Sequence, residues 1–187
     1  MSLRTQPQWT TEVNLKDGSQ VLLRPETSSD LEMVWGMYST LSNESRRSLP
    51  SDYTRETIDK WFKYLNYDYS LPIVAIVEEK SRQRIVGTAT LQFFQQPINT
   101  HKAEFAIVIH DDYQNRGLGT LLTKHMINIA LGKGLKKVFL VVLAENQRAI
   151  RLYEKLGFKI EGKLLREHYH TLMKEYVDAY RMAILLT

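Results

Sequence analysis

The segment Ile107-Val-Ile-His-Asp-Asp-Tyr-Gln-Asn-Arg-Gly-Leu-Gly-Thr120 decides how this chain is interpreted. It is typical of a buried strand, a short acidic turn, and a helix that begins with Gly117 and Gly119. The first turn of a helix has unpaired backbone N–H groups and a partial positive charge, which together bind phosphate oxygens. Glycine lacks the side chain that would hold such a ligand at a distance, and Arg116 can donate to the same anion. The segment therefore predicts an anion-binding strand–turn–helix unit.

Two common phosphate-binding motifs do not fit this segment. The P-loop pattern G-x-x-x-x-G-K-[ST] is absent, and the dinucleotide pattern G-x-G-x-x-G fails because Leu122 occupies the place of its third glycine. A tight strand–helix turn with no ligand is the alternative interpretation, because Gly-x-Gly before a helix is weakly specific by itself. The segments on either side are needed to decide between the two.

The hydrophobic pattern of the rest of the chain predicts alternating strands and helices. Such an order favours an α/β domain with one mixed sheet and helices on its faces. The predicted strands are 20–25, 73–77, 85–94, 103–109, 138–143, 158–165 and 176–186, and the predicted helices are 31–41, 55–65, 118–131 and 146–156.

Composition sets wide limits on function. The 187 residues are 43% hydrophobic and 25% charged, as expected for one globular domain spanning 1–187, with a loosely held start over 1–13. The absence of cysteine excludes disulfides, thiolate metal sites and cysteine nucleophiles. The net charge of +4 is spread along the chain, which indicates surface solvation rather than a nucleic-acid site. With neither a signal peptide nor a long apolar run, we expect a cytoplasmic protein without a membrane partner.

Two motifs together resemble the GNAT superfamily of N-acetyltransferases. Gln114-Asn-Arg-Gly-Leu-Gly119 matches its Q/R-x-x-G-x-G/A motif, and Asn146-Gln-Arg-Ala-Ile-Arg-Leu-Tyr-Glu-Lys-Leu-Gly-Phe158 matches its second signature, N-x-x-A-x-x-L-Y-x-x-x-G-F. Their order and separation, with one strand between them, also agree with that family. The resemblance covers about residues 20–186.

The resemblance implies a fold and a cofactor. The fold would be the GNAT acyl-CoA N-acyltransferase fold, an α/β (α+β mixed-sheet) fold with a central, splayed sheet of about six to seven strands flanked by about four helices. Acetyl-CoA would be the co-substrate, without a metal, and its pantetheine arm would lie in the gap between the splayed strands. The residues expected to bind it are Ile107, Val108 and Ile109 through their backbones, the turn residues Gln114, Asn115, Arg116, Gly117, Leu118, Gly119 and Thr120, and Asn146 and Tyr153 of the second signature.

The same resemblance suggests two catalytic residues. Transfer of an acetyl group requires a neutral amine and a proton for the departing thiolate, hence a base and an acid. Glu104 is the candidate base, since burial within an apolar strand would raise its pKa; the alternatives are a surface ion pair at this position or a water chain acting as the base. Tyr153 is the candidate acid, and its alternative is a core tyrosine. Asn146 is also a favourable helix N-cap, so both roles stay open.

The acceptor is not fixed by the sequence. Direct attack by a primary amine in a ternary complex is expected, and the amine can belong to a protein lysine or N-terminus, a polyamine or another small molecule. The ending 161–182 is similar to those of ribosomal-protein and polyamine acetyltransferases, whereas the strand of Glu104 is more similar to lysine acetyltransferases. A non-catalytic acyl-CoA sensor is the alternative function, and a homodimer is compatible with the sequence. His168 and His170 share one face of a strand but lack further metal ligands.

Overall fold

A computed structural model describes residues 7–50 and 53–187 of the chain. In this part of the chain, eight strands form one mixed sheet in the order β1-β2-β3-β4-β5-β6-β8-β7. The strands are β1 Thr11–Asn14, β2 Gln20–Pro25, β3 Ser70–Glu79, β4 Arg82–Phe93, β5 Lys102–Ile109, β6 Lys137–Leu143, β7 Lys159–His170 and β8 Glu175–Leu185; the α-helices are α1 Leu31–Ser39, α2 Asn43–Arg47, α3 Arg55–Lys63, α4 Leu118–Gly132 and α5 Gln147–Lys155.

The fold class is confirmed, and the predicted strands and helices are all present. The sheet has one strand more than the upper limit of six to seven, because Thr11–Asn14 pair antiparallel with Gln20–Leu23. The expectation of a loose start over 1–13 is therefore wrong for residues 11–13, and residues 1–6 lie outside the described part. Trp9 also packs closely, since a Cβ placed on Gly132 would lie 2.9 Å from its ring.

The sheet opens between β5 and β6. These strands are parallel, and they pair only from Lys102 opposite Lys137 to Glu104 opposite Phe139. Strand β5 then continues to Ile109 in pairing with β4, while β6 continues to Leu143 in pairing with β8. The two strands therefore diverge, and the edge of β5 that faces β6 has no strand partner beyond Glu104. This is the splayed arrangement that the family resemblance implied.

The two faces of the sheet are covered by different helices. One face packs against α4 and α5 in a core that includes Phe105, Leu118, Tyr153 and Phe158. The other face packs against α1 and α3 in a smaller core. Side chains alternate along a strand, so Glu104 lies on the α1–α3 face whereas Phe105 faces α4 and α5.

The sheet ends at β1 on one side and at β7 on the other. Strand β7 pairs only with β8, and its register is interrupted between Ile160 and Gly162 and again between Leu164 and His168. Arg166, within the second irregularity, has a φ of +51°. Within the described residues, no helix has both the length and the apolar character needed to cross a bilayer.

Candidate active site

The turn between β5 and α4 leads into a helix whose first backbone amides have no hydrogen-bond partner in the described part of the chain. Asn115 and Gly117 both have a left-handed backbone, with φ of +60° and +94°, and Gly117 is the N-cap of α4 without a side-chain cap. Among the described residues, no carbonyl or side chain accepts a hydrogen bond from the amides of Leu118, Gly119 or Thr120. Amides left unpaired at a helix N-terminus and in left-handed turns bind anions. The geometry therefore suits the anion binding that the sequence predicts.

The two glycines of the turn have different physical roles. Gly117 provides the left-handed φ that few other residues adopt at low cost. Gly119 lies inside the helix, where a Cβ would be 3.4 Å from Cδ2 of Leu152 on α5. Gly119 thus lies where α4 packs against α5, and an added Cβ would be in van der Waals contact there. We had predicted that both glycines allow a ligand to approach, and this stays a prediction for both.

The polar side chains of the turn are engaged within the protein. Gln114 donates to Ile109 O at 3.0 Å and to Ser45 Oγ at 2.8 Å, and it accepts from Arg148 at 2.6 Å. Arg116 forms an ion pair with Asp17 and lies over the Tyr113 ring at 4.3 Å. In this structure Arg116 thus faces the β1–β2 turn, and its guanidinium is engaged by Asp17 and the Tyr113 ring.

Lys16 is a basic residue at this turn that the sequence did not indicate. Its amide donates to Arg116 O at 3.1 Å, and its Cγ lies 3.4 Å from the position of a Cβ on Gly117. Lys16 comes from the β1–β2 turn, far from the motif in sequence. No local pattern could have predicted this contact, because it depends on the pairing of β1.

Asp111 connects the anion-binding turn to the α1–α2 segment. Its carboxylate accepts from Ser42 N at 2.8 Å and from the hydroxyls of Ser42 and Ser45 at 2.6 Å. Asp112 instead pairs with Arg84 at 2.9 Å. The two aspartates of the acidic turn thus hold together elements distant in sequence. The segment that contains Ser42 and Ser45 is thereby held against the turn that we predict to bind the cofactor.

Tyr153 lies on the α4–α5 side of the point where the sheet opens. It is buried, and its ring contacts Phe105 edge-on at 6.3 Å between centroids and Phe158 at 5.7 Å. Burial raises the pKa of the Tyr153 phenol above its ordinary value, so the phenol stays protonated at neutral pH. Both interpretations offered above, a core tyrosine and a proton donor, agree with this position.

Glu104 lies on the opposite side of the same opening. It is half-buried, pairs across the sheet with Gln92 and Phe139, and has no Lys or Arg within ion-pair distance in the described part of the chain. The strand begins at Lys102, so it contains two charged residues, Lys102 and Glu104. Glu104 and Tyr153 thus approach the opening of the sheet from its two faces.

Asn146 is the N-cap of α5. Its side chain accepts from Ala149 N at 3.1 Å, as a capping asparagine does. Its amide nitrogen is 3.5 Å from Ser48 O, which is at the limit of a hydrogen bond. The capping role that we kept open is therefore observed, and it leaves the contact with the cofactor a prediction.

The histidines have structural contacts. His170 is buried and lies 3.1 Å from Arg47 O, and buried His110 lies 3.1 Å from Thr40 Oγ1. His125 lies 2.9 Å from Trp9 O. Among residues 7–50 and 53–187, no cluster of three potential metal ligands is found.

Glu26 is a buried carboxyl that sequence reasoning missed. It directly follows β2 and is only 6% exposed. Its backbone is held by Pro72 O, which accepts from its amide at 2.9 Å, whereas no hydrogen bond to its carboxyl oxygens is found within the described residues. Burial, with a smaller contribution from Asp30, raises the pKa of Glu26 to about 8, although Arg24 opposes this shift. A buried carboxyl without a partner is costly, so it calls for a functional explanation.

The shifted pKa of Glu26 predicts a pH-dependent stability. The folded pKa of about 8 exceeds the ordinary 4.5, so this group destabilises the fold progressively as pH rises from about 4.5 to 8. We expect Glu26→Gln to stabilise the protein at pH 8.5 by about 2 kcal/mol, with roughly 5 kcal/mol as the upper limit. Urea unfolding at pH 5 and 8.5 measures this difference. Glu78→Gln, at an exposed position, serves as the control, and an equal effect in both variants would contradict the prediction.

The fold and the site together define a class of protein. A splayed α/β sheet, an anion-binding turn at the end of the diverging strand, and a tyrosine at the opening are the features of acetyltransferases of the GNAT type. The profile of the acetyltransferase (GNAT) family matches residues 38–158, and the chain belongs to this family.

Several acetyltransferases are similar in sequence. An L-amino acid N-acetyltransferase of Escherichia coli is 36% identical over 100 residues, which cover 53% of this chain and 60% of that protein. Spermidine N(1)-acetyltransferase of the same organism is 39% identical over 84 residues, 44% of each chain. An acetyltransferase of Pseudomonas aeruginosa is 30% identical over 148 residues, 78% of each. The matched region thus spans only 60% and 44% of the first two relatives.

Solved structures share the fold over most of the chain. The GNAT domain of S. lividans PAT superposes with a TM-score of 0.76 at 19% identity, covering 96% of this chain and 98% of that one. Spermidine N-acetyltransferase from Vibrio cholerae, in complex with CoA and spermine, superposes with a TM-score of 0.72 at 23% identity. The match covers 88% of this chain and 95% of that one. At these identities the likeness concerns the fold alone.

Proposed function

We propose that this protein transfers the acetyl group of acetyl-CoA to a primary amine by direct attack in a ternary complex. The observation that supports it most is the set of unpaired amides from Leu118 to Thr120, at the end of the strand whose edge is open. A CoA thioester has a diphosphate for the first feature and an amide-bearing pantetheine arm for the second. The relatives named above, which act on amino acids and spermidine, support an amine as acceptor.

The cofactor would extend along β5. Its diphosphate would contact the unpaired amides of Leu118, Gly119 and Thr120, with Lys16 beside Gly117. The pantetheine amides would pair with the backbones of Ile107, Val108 and Ile109, on the edge that β6 leaves open. This arrangement brings the thioester to the point where the sheet opens, between Glu104 and Tyr153.

The reaction then requires several proton transfers. Glu104 takes a proton from the acceptor ammonium, directly or through water, and the neutral nitrogen attacks the thioester carbonyl. The C–S bond breaks as the tetrahedral intermediate collapses, and Tyr153 donates its phenolic proton to the thiolate. The second proton that the nitrogen loses returns through water to the Tyr153 phenolate, and Glu104 releases its proton to bulk water. The products are the acetylated amine, CoA and one proton. The two residues thus form an acid–base pair across the opening.

Titration calorimetry with CoA and acetyl-CoA tests the cofactor assignment. We expect the wild-type protein to bind both, and Gly117→Ala to weaken binding by about tenfold, because an L side chain at this φ costs roughly 1–2 kcal/mol and displaces the amides. Gly134→Ala is the matched control: its φ is +74°, its Cβ would meet nothing within 4 Å, and it lies beyond the other end of α4. Absence of any binding by the wild-type protein would refute the proposal.

A further inference from the structure

We propose that Glu26 binds a second cationic nitrogen of the acceptor, and that the acceptor is therefore a linear polyamine. This inference rests on the proposed acetyl transfer and names the class of substrate that it uses. It starts from a carboxyl that the transfer chemistry described above does not employ. Glu26 is buried on the α1–α3 face of the sheet, the same face as Glu104.

A row of residues connects Glu26 to the reaction site. The Glu26 amide donates to Pro72 O; Pro72 is paired with Thr90, and Thr90 with Ala106. Ala106 precedes Ile107 on the open edge of β5 and lies two residues from Glu104. Adjacent strands are about 4.8 Å apart, so the backbone row measures roughly 14 Å. The Glu26 side chain can shorten this span, so two nitrogens about 10–14 Å apart could reach both ends.

The side chains along the row are small. Exposure rises from buried Pro72 through half-buried Thr90 to exposed Ala106, so the end of the row beside the reaction site is the accessible one. An unbranched chain suits this row better than a bulky acceptor, because only the narrow end of a ligand reaches a residue that is 6% exposed.

Aromatic rings lie on the same face of the sheet. Tyr38, Tyr53 and Trp61 contact one another edge-on, with centroids 5.1 to 5.9 Å apart. Tyr38 donates to or accepts from Thr88 at 3.0 Å, which fixes its hydroxyl above β4. Burial raises the pKa of Tyr38, and Tyr53 and Glu26 add to this effect. Aromatic faces favour organic cations and methylene chains, so this cluster suits the same ligand.

The charges around Glu26 leave its carboxyl available. Arg24 is the basic neighbour, but it is committed to a two-bond pair with Asp30 at 2.7 Å. The other titratable neighbours are Asp30, Tyr38 and Tyr67, and Tyr67 donates to the backbone oxygen of Glu26 rather than to its carboxyl. Binding of an ammonium group would ionise Glu26 and release its proton, because its pKa of about 8 keeps it largely neutral at pH 7.

Acetylation of spermidine and n-hexylamine by wild type and Glu26→Gln tests the proposal. Hexylamine has the reacting amine and a methylene chain but no second cation. We expect the wild type to prefer spermidine in kcat/KM by about tenfold or more. Glu26→Gln should lose about 10- to 100-fold in kcat/KM for spermidine, mainly through KM, while its rate with hexylamine stays within about twofold of wild type.

A second measurement separates recognition from a structural role. Spermidine is titrated into the protein saturated with CoA, in two buffers of different ionisation enthalpy. We expect proton release by the wild type and by the exposed control Glu78→Gln, and none by Glu26→Gln.

Equal losses on both amines, unchanged rates on both, or a wild-type preference for hexylamine would overturn the inference. A wild type that binds CoA but acetylates only other amines would also overturn it while leaving the proposed function intact, whereas failure to bind CoA would remove the proposed function itself.

Discussion

Tyr153→Phe should lower kcat by about 100- to 1,000-fold, because the departing thiolate loses its proton donor. The ring remains, so its contacts with Phe105 and Phe158 are kept, and the affinity for CoA should stay within about twofold. Thiol release under saturating acetyl-CoA measures kcat, and calorimetry measures CoA binding. A loss of kcat without a loss of affinity identifies a role in the chemical step rather than in packing.

Tyr169→Phe is the control for this prediction. Tyr169 is exposed on β7 and contacts Tyr176, far from the opening of the sheet, so its variant should retain wild-type kcat. If Tyr153→Phe also keeps the wild-type rate, a core tyrosine is the correct interpretation and another group or water protonates the sulfur.

Glu104→Gln should lower kcat/KM by about 100-fold or more at pH 7, because the acceptor ammonium then loses its proton acceptor. An alkyl ammonium with a pKa near 10 deprotonates by itself at high pH. The deficit of the variant should therefore shrink as pH rises from 7 to 10. A pH series of kcat/KM for both proteins measures this convergence, which the loss of a purely structural contact would not produce.

Glu154→Gln is the matched control for Glu104→Gln, since Glu154 is exposed on α5. It should follow the wild-type pH profile throughout. A constant ratio between Glu104→Gln and wild type at every pH would contradict a role in proton removal. An unchanged rate at pH 7 would instead favour the water chain that was kept as an alternative.

Most of the fold could be predicted because its elements have strong local signals. Alternating or continuous apolar residues indicate the strands, and apolar residues at helical spacing from Leu118 to Ile129 indicate α4. Strand β1 was missed because Thr11–Asn14 is short and half-exposed, so its pairing with β2 leaves little trace in the hydrophobic pattern. The divergence of β5 from β6 was implied only by the family resemblance, since no local pattern distinguishes a paired strand edge from an open one.

The residues of the candidate site could likewise be predicted only in part. The motif residues Gln114–Thr120 were identifiable because they are contiguous; in the structure they form the turn that ends at Gly117 and the first residues of α4. The contacts of Lys16, Arg116 and Asp111 were not identifiable, because each joins segments distant in sequence. Glu26 follows Pro25 and precedes a run of capping residues, a context typical of an exposed turn; its burial arises only when β3 and the helices cover it.

The irregular register of β7 bears on how this sheet behaves at high concentration. An exposed edge strand is a template for another chain, and bulges and charged side chains are the usual means of blocking such intermolecular pairing. Strand β7 has both, with two irregularities and the charged residues Lys159, Glu161, Lys163, Arg166 and Glu167. At the other end β1 is only four residues long. Both margins are thus poorly suited to edge-to-edge aggregation, although the sheet is eight strands wide.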